Sequence, residues 1–267
     1  MLLRRTRTSI TILQLGLASC SAPSTGVSTR EPVVEEHAGF SLEYAASDQT
    51  VAQSLLPMIE RGRATAQQFF ATTYASTFAV RVFPDRPALT ARWRVAWNQP
   101  TLQTECWMIA AGWSTELDIL SPSVWRTDAC GHDATNLTHV SNVVAHELVH
   151  VLHAQRNSGY LSLSASTPWM SEGLATFVSG QWASEYASSA RATVGAGLIP
   201  ETFAALWASS ANYALAGSVF AYVDQRYGAE MVRRLLTVRT EAELLTTLST
   251  DAPTLLRGWR AWLLAAG

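Results

Sequence analysis

The chain holds 267 residues, 48% of them hydrophobic and 15% charged, with a formal net charge of −2. That length suits one large domain or two small ones with ample material for a packed core, and the low charge excludes disorder driven by charge repulsion over the bulk of the chain. A mild acidic balance without a basic tract argues against nucleic acid as a partner, and no apolar run reaches the roughly 18–20 residues of a spanning helix.

The chain opens with Arg4, Arg5 and Arg7 and no acid, then a short apolar run over residues 10–18. This is the layout of a secretory signal peptide, too short to span. The run closes on Leu17, Ala18, Ser19 and Cys20, which resembles the bacterial lipobox. That resemblance implies removal of residues 1–19, a lipidated Cys20, and a place in the bacterial cell envelope on a membrane surface, the outer membrane or cell surface being favoured. Residues 20–38, rich in Ser, Thr, Pro and Glu, read as a flexible tether. An exported chain that spends Cys20 on lipid leaves Cys106 and Cys130, an even pair in an oxidising compartment, and a disulfide is expected between them. Cys130, Gly131, His132 and Asp133 lack a spaced partner pair and read as loop rather than as metal ligands.

Residues 39–267 form the body, an α/β part over 39–137 and a helical part over 138–267. Val51, Leu55, Met58, Ile59, Ala66 and Phe69 recur at helical spacing, with Pro57 as a start or a kink. Phe78, Val80 and Val82 alternate within a strand over residues 77–83. Residues 106–111 and 116–121 are further strand candidates. From residue 138 the pattern is helical to the end, with stops at Gly159, Gly180, Gly197 and Gly228. The tryptophans scatter through the body and read mostly as core or pocket wall.

The chemistry-bearing motif is His146, Glu147, Leu148, Val149, His150. Residues 138–154 lack Gly and Pro, and Val140, Val144, Leu148 and Val151 make one apolar stripe. His146 and His150 therefore stand one helical turn apart, on a face away from that stripe. Two imidazoles so placed can bind one Zn²⁺, and Glu147 can reach a water at the metal. A metzincin reading fails, since it needs Gly at 153 and His at 156 where this chain has His153 and Arg156. Downstream stand Trp169, Met170, Ser171, Glu172, Gly173, Leu174 and Ala175. Thr167 can cap and Pro168 can open a helix running to about Gly180. Glu172 then lies in the first turns of a helix that can return to the zinc helix, where Gly173 permits a close backbone approach.

These two motifs together resemble the gluzincin zinc metallopeptidases, closest to aminopeptidase N-type catalytic domains and the smaller peptidase MA-like proteins. The resemblance implies an α+β fold: a thermolysin-like zincin lobe with a small twisted sheet, the HExxH helix and a mostly helical C-terminal half. It implies one Zn²⁺ per chain on His146, His150 and Glu172, Glu147 as the catalytic acid–base, and hydrolysis of peptide bonds in a peptide or protein substrate. Residues 212–220 resemble the segment that carries an oxyanion-stabilising Tyr in small relatives, which nominates Tyr213, with Tyr222 as a rival. His139 and His153 share the zinc face but lie about 10 Å along the axis from His146, which suits a supporting role.

Two departures bear on these expectations. The 21 residues from Val151 to Ser171 exceed the spacing usual in the family, as an inserted loop over 157–167 would explain. The Gly-x-Met-Glu-Asn run of aminopeptidases is absent, the nearest region being residues 108–113, so endopeptidase action is expected. The alternative is a surface lipoprotein that keeps the zincin fold as a binding or assembly factor without proteolysis.

Overall fold

A computed structural model of the chain describes residues 31–265. Cys20, the leader read from residues 1–19 and the tether up to residue 30 lie outside the described residues. Among the described residues no helix is long and apolar enough to cross a membrane.

The architecture is α+β, with one small mixed sheet of five strands and a larger helical part. The sheet runs in the order β1 (Val33–His37), β2 (Phe40–Tyr44), β3 (Phe78–Phe83), β5 (Glu116–Leu120), β4 (Ala110–Trp113). The central pairs β2–β3 and β3–β5 are parallel, and the outer pairs β1–β2 and β4–β5 are antiparallel. Strand alternation puts Phe40, Leu42, Tyr44, Phe78, Val80, Val82, Leu117 and Ile119 on one face. All are buried in a single core with α1 (Gln49–Phe70) and α4 (Leu137–Arg156). The other face carries Glu43, Arg81 and Asp118 in register across β2, β3 and β5. There Arg81 pairs with Glu43 at 2.8 Å and with Glu116 at 2.6 Å, and Arg92 from α2 (Arg86–Ala96) also pairs with Glu116.

Three boundaries differ from expectation. Residues 33–37, inside the expected tether, form strand β1, because a hairpin turn at Ala38 and Gly39 folds them onto β2. The strand expected over 106–111 begins only at Ala110. Cys106 and Met108 are held in a turn by the Arg86 guanidinium, which donates to the carbonyls of Glu105, Cys106 and Met108. Pro57 lies inside α1 and does not begin it.

The helical part follows α3 (Trp125–Asp128) and α4 and comprises α5 (Tyr160–Ser166), α6 (Pro168–Val178), α7 (Ala187–Gly195), α8 (Phe203–Trp207), α9 (Asn212–Tyr227), α10 (Ala229–Arg234), α11 (Glu241–Thr247) and α12 (Ala252–Ala265). Its core gathers Trp169, Leu174, Leu215, Val219, Phe220 and Trp259. The expected loop over 157–167 is instead mostly α5. Gly173 does make a close approach, but to α9 and not to α4: a Cβ there would sit 2.7 Å from the Ala216 carbonyl oxygen. Helix α4 lies between the two cores. Its Val144 and Leu148 pack on the sheet side, and its Val149 and Leu152 on the helical side. The expected apolar stripe is thus only one of two buried faces.

Candidate metal centre and its cleft

Helix α4 starts cleanly because the Asn136 side chain accepts the His139 backbone N–H at 3.2 Å. One turn apart in its middle, His146 and His150 are both buried. Their Nε2 atoms approach to 2.9 Å, and Glu172 Oε2 lies 3.1 Å from the first and 3.2 Å from the second. Glu172 sits in the second turn of α6, as Pro168 at the first position of that helix led one to expect; Thr167 gives no side-chain cap. His146, His150 and Glu172 together could hold a metal ion.

The donor chemistry fits a divalent metal. The outer nitrogen of His146, Nδ1, faces the Gln181 Oε1 acceptor at 2.8 Å, which places its proton there and leaves Nε2 a lone pair. His150 Nδ1 is held by the Tyr160 hydroxyl at 2.8 Å. Two oriented imidazoles and one carboxylate are the ligand set that Zn²⁺ takes in three-ligand sites. Burial opposes ionisation of Glu172, but the His150 and His146 imidazoles outweigh it and hold the carboxyl well below the usual carboxylate range.

Glu147 points into the same cleft. Burial pushes its carboxyl up to about 7; the His146 imidazole and the Gly112 backbone N–H pull it down, and Glu172 adds to the rise. A carboxyl poised there can both accept and return a proton near neutrality. Gly112 on β4 is needed for this arrangement, since a Cβ would overlap the Glu147 carbonyl oxygen and stand 3.2 Å from His150 Cβ.

The cleft encloses about 860 Å³ and has an aromatic wall that includes Trp93, Trp97, Trp107, Trp113 and Trp207. Tyr213, in the first turn of α9, lines it, with its ring centroid 6.1 Å from that of His146. Burial, then Glu172 and Glu147, push its hydroxyl well above the ordinary value, so it stays a proton donor. Tyr222 does not line the cleft; it packs on Trp262, with its hydroxyl against Gly258 of α12.

His139 and His153 stand apart from His146, His150 and Glu172. His153 is buried beside the Tyr160 ring, and burial, helped by His150, pushes it down to about 3, so it is neutral. His139 pairs with Glu185 and His132. Cys106 and Cys130 are disulfide-bonded, with Cα atoms 5.2 Å apart, and Cys130 lines the cleft.

Sequence reasoning missed Tyr160 and Gln181, the outer partners of the two histidines. A tyrosine ten residues after His150 and a glutamine nine after Glu172 carry no spacing signal of their own. No family model matches the chain, and no curated protein matches it.

Proposed function

We propose that the chain is a zinc-dependent peptidase of gluzincin type, an endopeptidase on a thermolysin-like catalytic lobe. The observation that carries this reading is the convergence of His146 Nε2, His150 Nε2 and Glu172 Oε2 to within 3.2 Å of one another, with Glu147 in the same cleft. His146, His150 and Glu172 would hold a zinc ion, which when bound would supply Lewis acidity toward the scissile carbonyl and water.

The chain's own residues do the rest. Glu147 takes a proton from the attacking water as the new C–O bond forms. It returns that proton to the amide nitrogen as the C–N bond breaks, so that a carboxyl and an amine terminus leave. Tyr213, kept protonated, donates toward the carbonyl oxygen as negative charge develops on it. Gln181 and Tyr160 hold the two imidazoles in their rotamers. The cleft binds a peptide against an aromatic wall.

Glu147 favours hydrolysis over a pure binding role, since a scaffold has no use for a carboxyl near pKa 7 beside the ligand trio. The test is digestion of a broad peptide library by the full chain, with and without chelator. Glu147→Gln should keep its metal and fold and lose about 10²–10⁴-fold in hydrolysis. A wild-type protein that binds zinc and cleaves nothing in the library sinks the peptidase reading and moves the binding-factor reading ahead. The export reading is proposed alongside it: lipid on Cys20 anchors the body to a membrane of the cell envelope. Wild type should enter a detergent phase and Cys20→Ala should not; equal partitioning refutes the anchor.

A further inference from the structure

A second pair of histidines, His132 in the cleft wall and His139 buried behind it, stands in an arrangement that two neutral imidazoles do not satisfy. His132 Nε2 faces the Trp107 carbonyl oxygen at 3.2 Å, an atom that can only accept, so this nitrogen carries a proton. His139 Nδ1 faces Glu185 Oε2 at 2.8 Å. The other oxygen of that carboxylate accepts from Asn142 Nδ2 at 2.7 Å, so His139 Nδ1 is protonated too. Each neutral ring then has one nitrogen left with a lone pair. Those two atoms, His132 Nδ1 and His139 Nε2, face each other at 3.0 Å. Two lone pairs so placed repel each other, and a cation held between them would relieve that repulsion.

The ligand pair His146 and His150 is built in the same way, with inner nitrogens 2.9 Å apart and outer nitrogens held by Gln181 and Tyr160. We propose that His132 and His139 form a second metal site, for a divalent transition-metal ion of the Zn²⁺, Cu²⁺ or Ni²⁺ class. Imidazole nitrogens select such ions over Ca²⁺ and Mg²⁺, which take oxygen ligands. Two protein nitrogens leave positions for water, and His132 is half-buried at the cleft, where water reaches it. Glu185 supplies a compensating negative charge through His139, the outer partner that metal-ligating histidines regularly have.

The site is separate from the one proposed for catalysis. Seven residues of α4 put His139 about 10 Å along the axis from His146, far beyond the roughly 4 Å of two-metal hydrolytic centres. Its role is to brace. An ion there ties the Trp107 turn, the Cys130–His132 loop and the segment Trp182–Tyr186, next to Gln181, into one wall of the cleft.

The inference rests on other residues than the peptidase reading, and metal stoichiometry separates the two. The chelator-stripped full chain is dialysed against excess Zn²⁺ near neutral pH. Wild type should saturate at two ions per chain, and His132→Ala and His139→Ala at one, with folding checked by near-ultraviolet circular dichroism. In Glu172→Ala, the most firmly held ion should be the one that His132→Ala removes. Cu²⁺ loaded into Glu172→Ala should show coupling to two nitrogens that disappears with His132→Ala. Wild type saturating at one ion that His132→Ala leaves in place overturns the proposal and assigns a shared proton to the pair. One ion lost in His132→Ala but kept in Glu172→Ala upholds it and sinks the catalytic metal instead.

Discussion

Replacing Gly112 by alanine puts a methyl group where β4 meets α4. The new carbon overlaps the Glu147 carbonyl oxygen and stands 3.0 Å from the Glu147 carbonyl carbon and 3.2 Å from His150 Cβ. Ordinary carbon–oxygen contacts begin near about 3.3 Å, so strand and helix must part by about 1 Å. Both partners are backbone in the core, so the cost belongs at the upper end of overpacking, about 3 kcal/mol. For a fold of this size each kcal/mol is worth about 2–4 °C, and Tm should fall by roughly 6–12 °C. The separation also carries the Gly112 N–H away from the Glu147 carboxylate. A displacement of about 1 Å at the reacting groups costs about 100-fold in rate. Thermal unfolding and peptide hydrolysis are measured beside Gly195→Ala, whose Cβ meets nothing within 4 Å and which should match or slightly exceed wild type. A Gly112→Ala protein with wild-type Tm and wild-type hydrolysis refutes the close approach and the role given to that N–H.

Tyr160→Phe removes the hydroxyl from His150 Nδ1 and should weaken metal binding by about 10–100-fold with little change in Tm. Competition against a chromophoric chelator measures it, and unchanged affinity takes Tyr160 out of the support of His150. Asp118, 1% exposed, has its carboxyl pushed up to about 6 from 3.8, mainly by burial and then by Glu116, against the pull of Arg92 and Arg81. The fold therefore holds a proton that the unfolded chain has released between those values, and this contribution to stability is lost as pH rises from 3.8 to about 6. Asp118→Asn removes the loss, so its stability relative to wild type should grow by on the order of 3 kcal/mol across that window; a gap in urea unfolding that does not vary with pH refutes it.

What was legible in the sequence follows from where each element buries its side chains. Strand β3 alternates cleanly because only one of its faces reaches the core, and α4 declares itself by twenty residues without Gly or Pro. Both are placed by the sequence to within a residue or two. Strand β1 was hidden because its burial runs between half-buried and exposed residues, so nothing in its composition separates it from the Ser- and Pro-rich stretch before it. The start of β4 was misplaced because the arginine that holds Cys106 and Met108 in a turn stands some twenty residues upstream. The convergence of His146, His150 and Glu172 was readable because a helix converts spacing into direction for the two histidines and because Pro168 announces the helix that carries Glu172. Outer partners are not readable this way. A hydrogen bond between side chains on two different helices depends on how those helices pack, which spacing along one of them does not encode.

The long stretch between the two motifs then gains a physical meaning. The chain leaves α4 at Asn157, whose side-chain amide donates to the Leu236 and Val238 carbonyls at 3.2 and 2.8 Å and ties this corner to the far end of the helical part. Helix α5 begins at once and turns Tyr160 back onto His150 before Pro168 opens α6. Residues 146–181 thus supply all three candidate ligands and both outer partners within one continuous run of chain. The sheet's hydrogen bond in this cleft goes elsewhere, from the Gly112 backbone N–H to Glu147. Damage on the helical side, at Tyr160 or Gln181, should therefore appear first as lost metal, and damage on the sheet side, at Gly112, first as lost hydrolysis with metal retained. Metal content and rate measured on the same variants separate these two routes, and parallel losses in every variant would mean that ligand trio and base are held by one structure, not two.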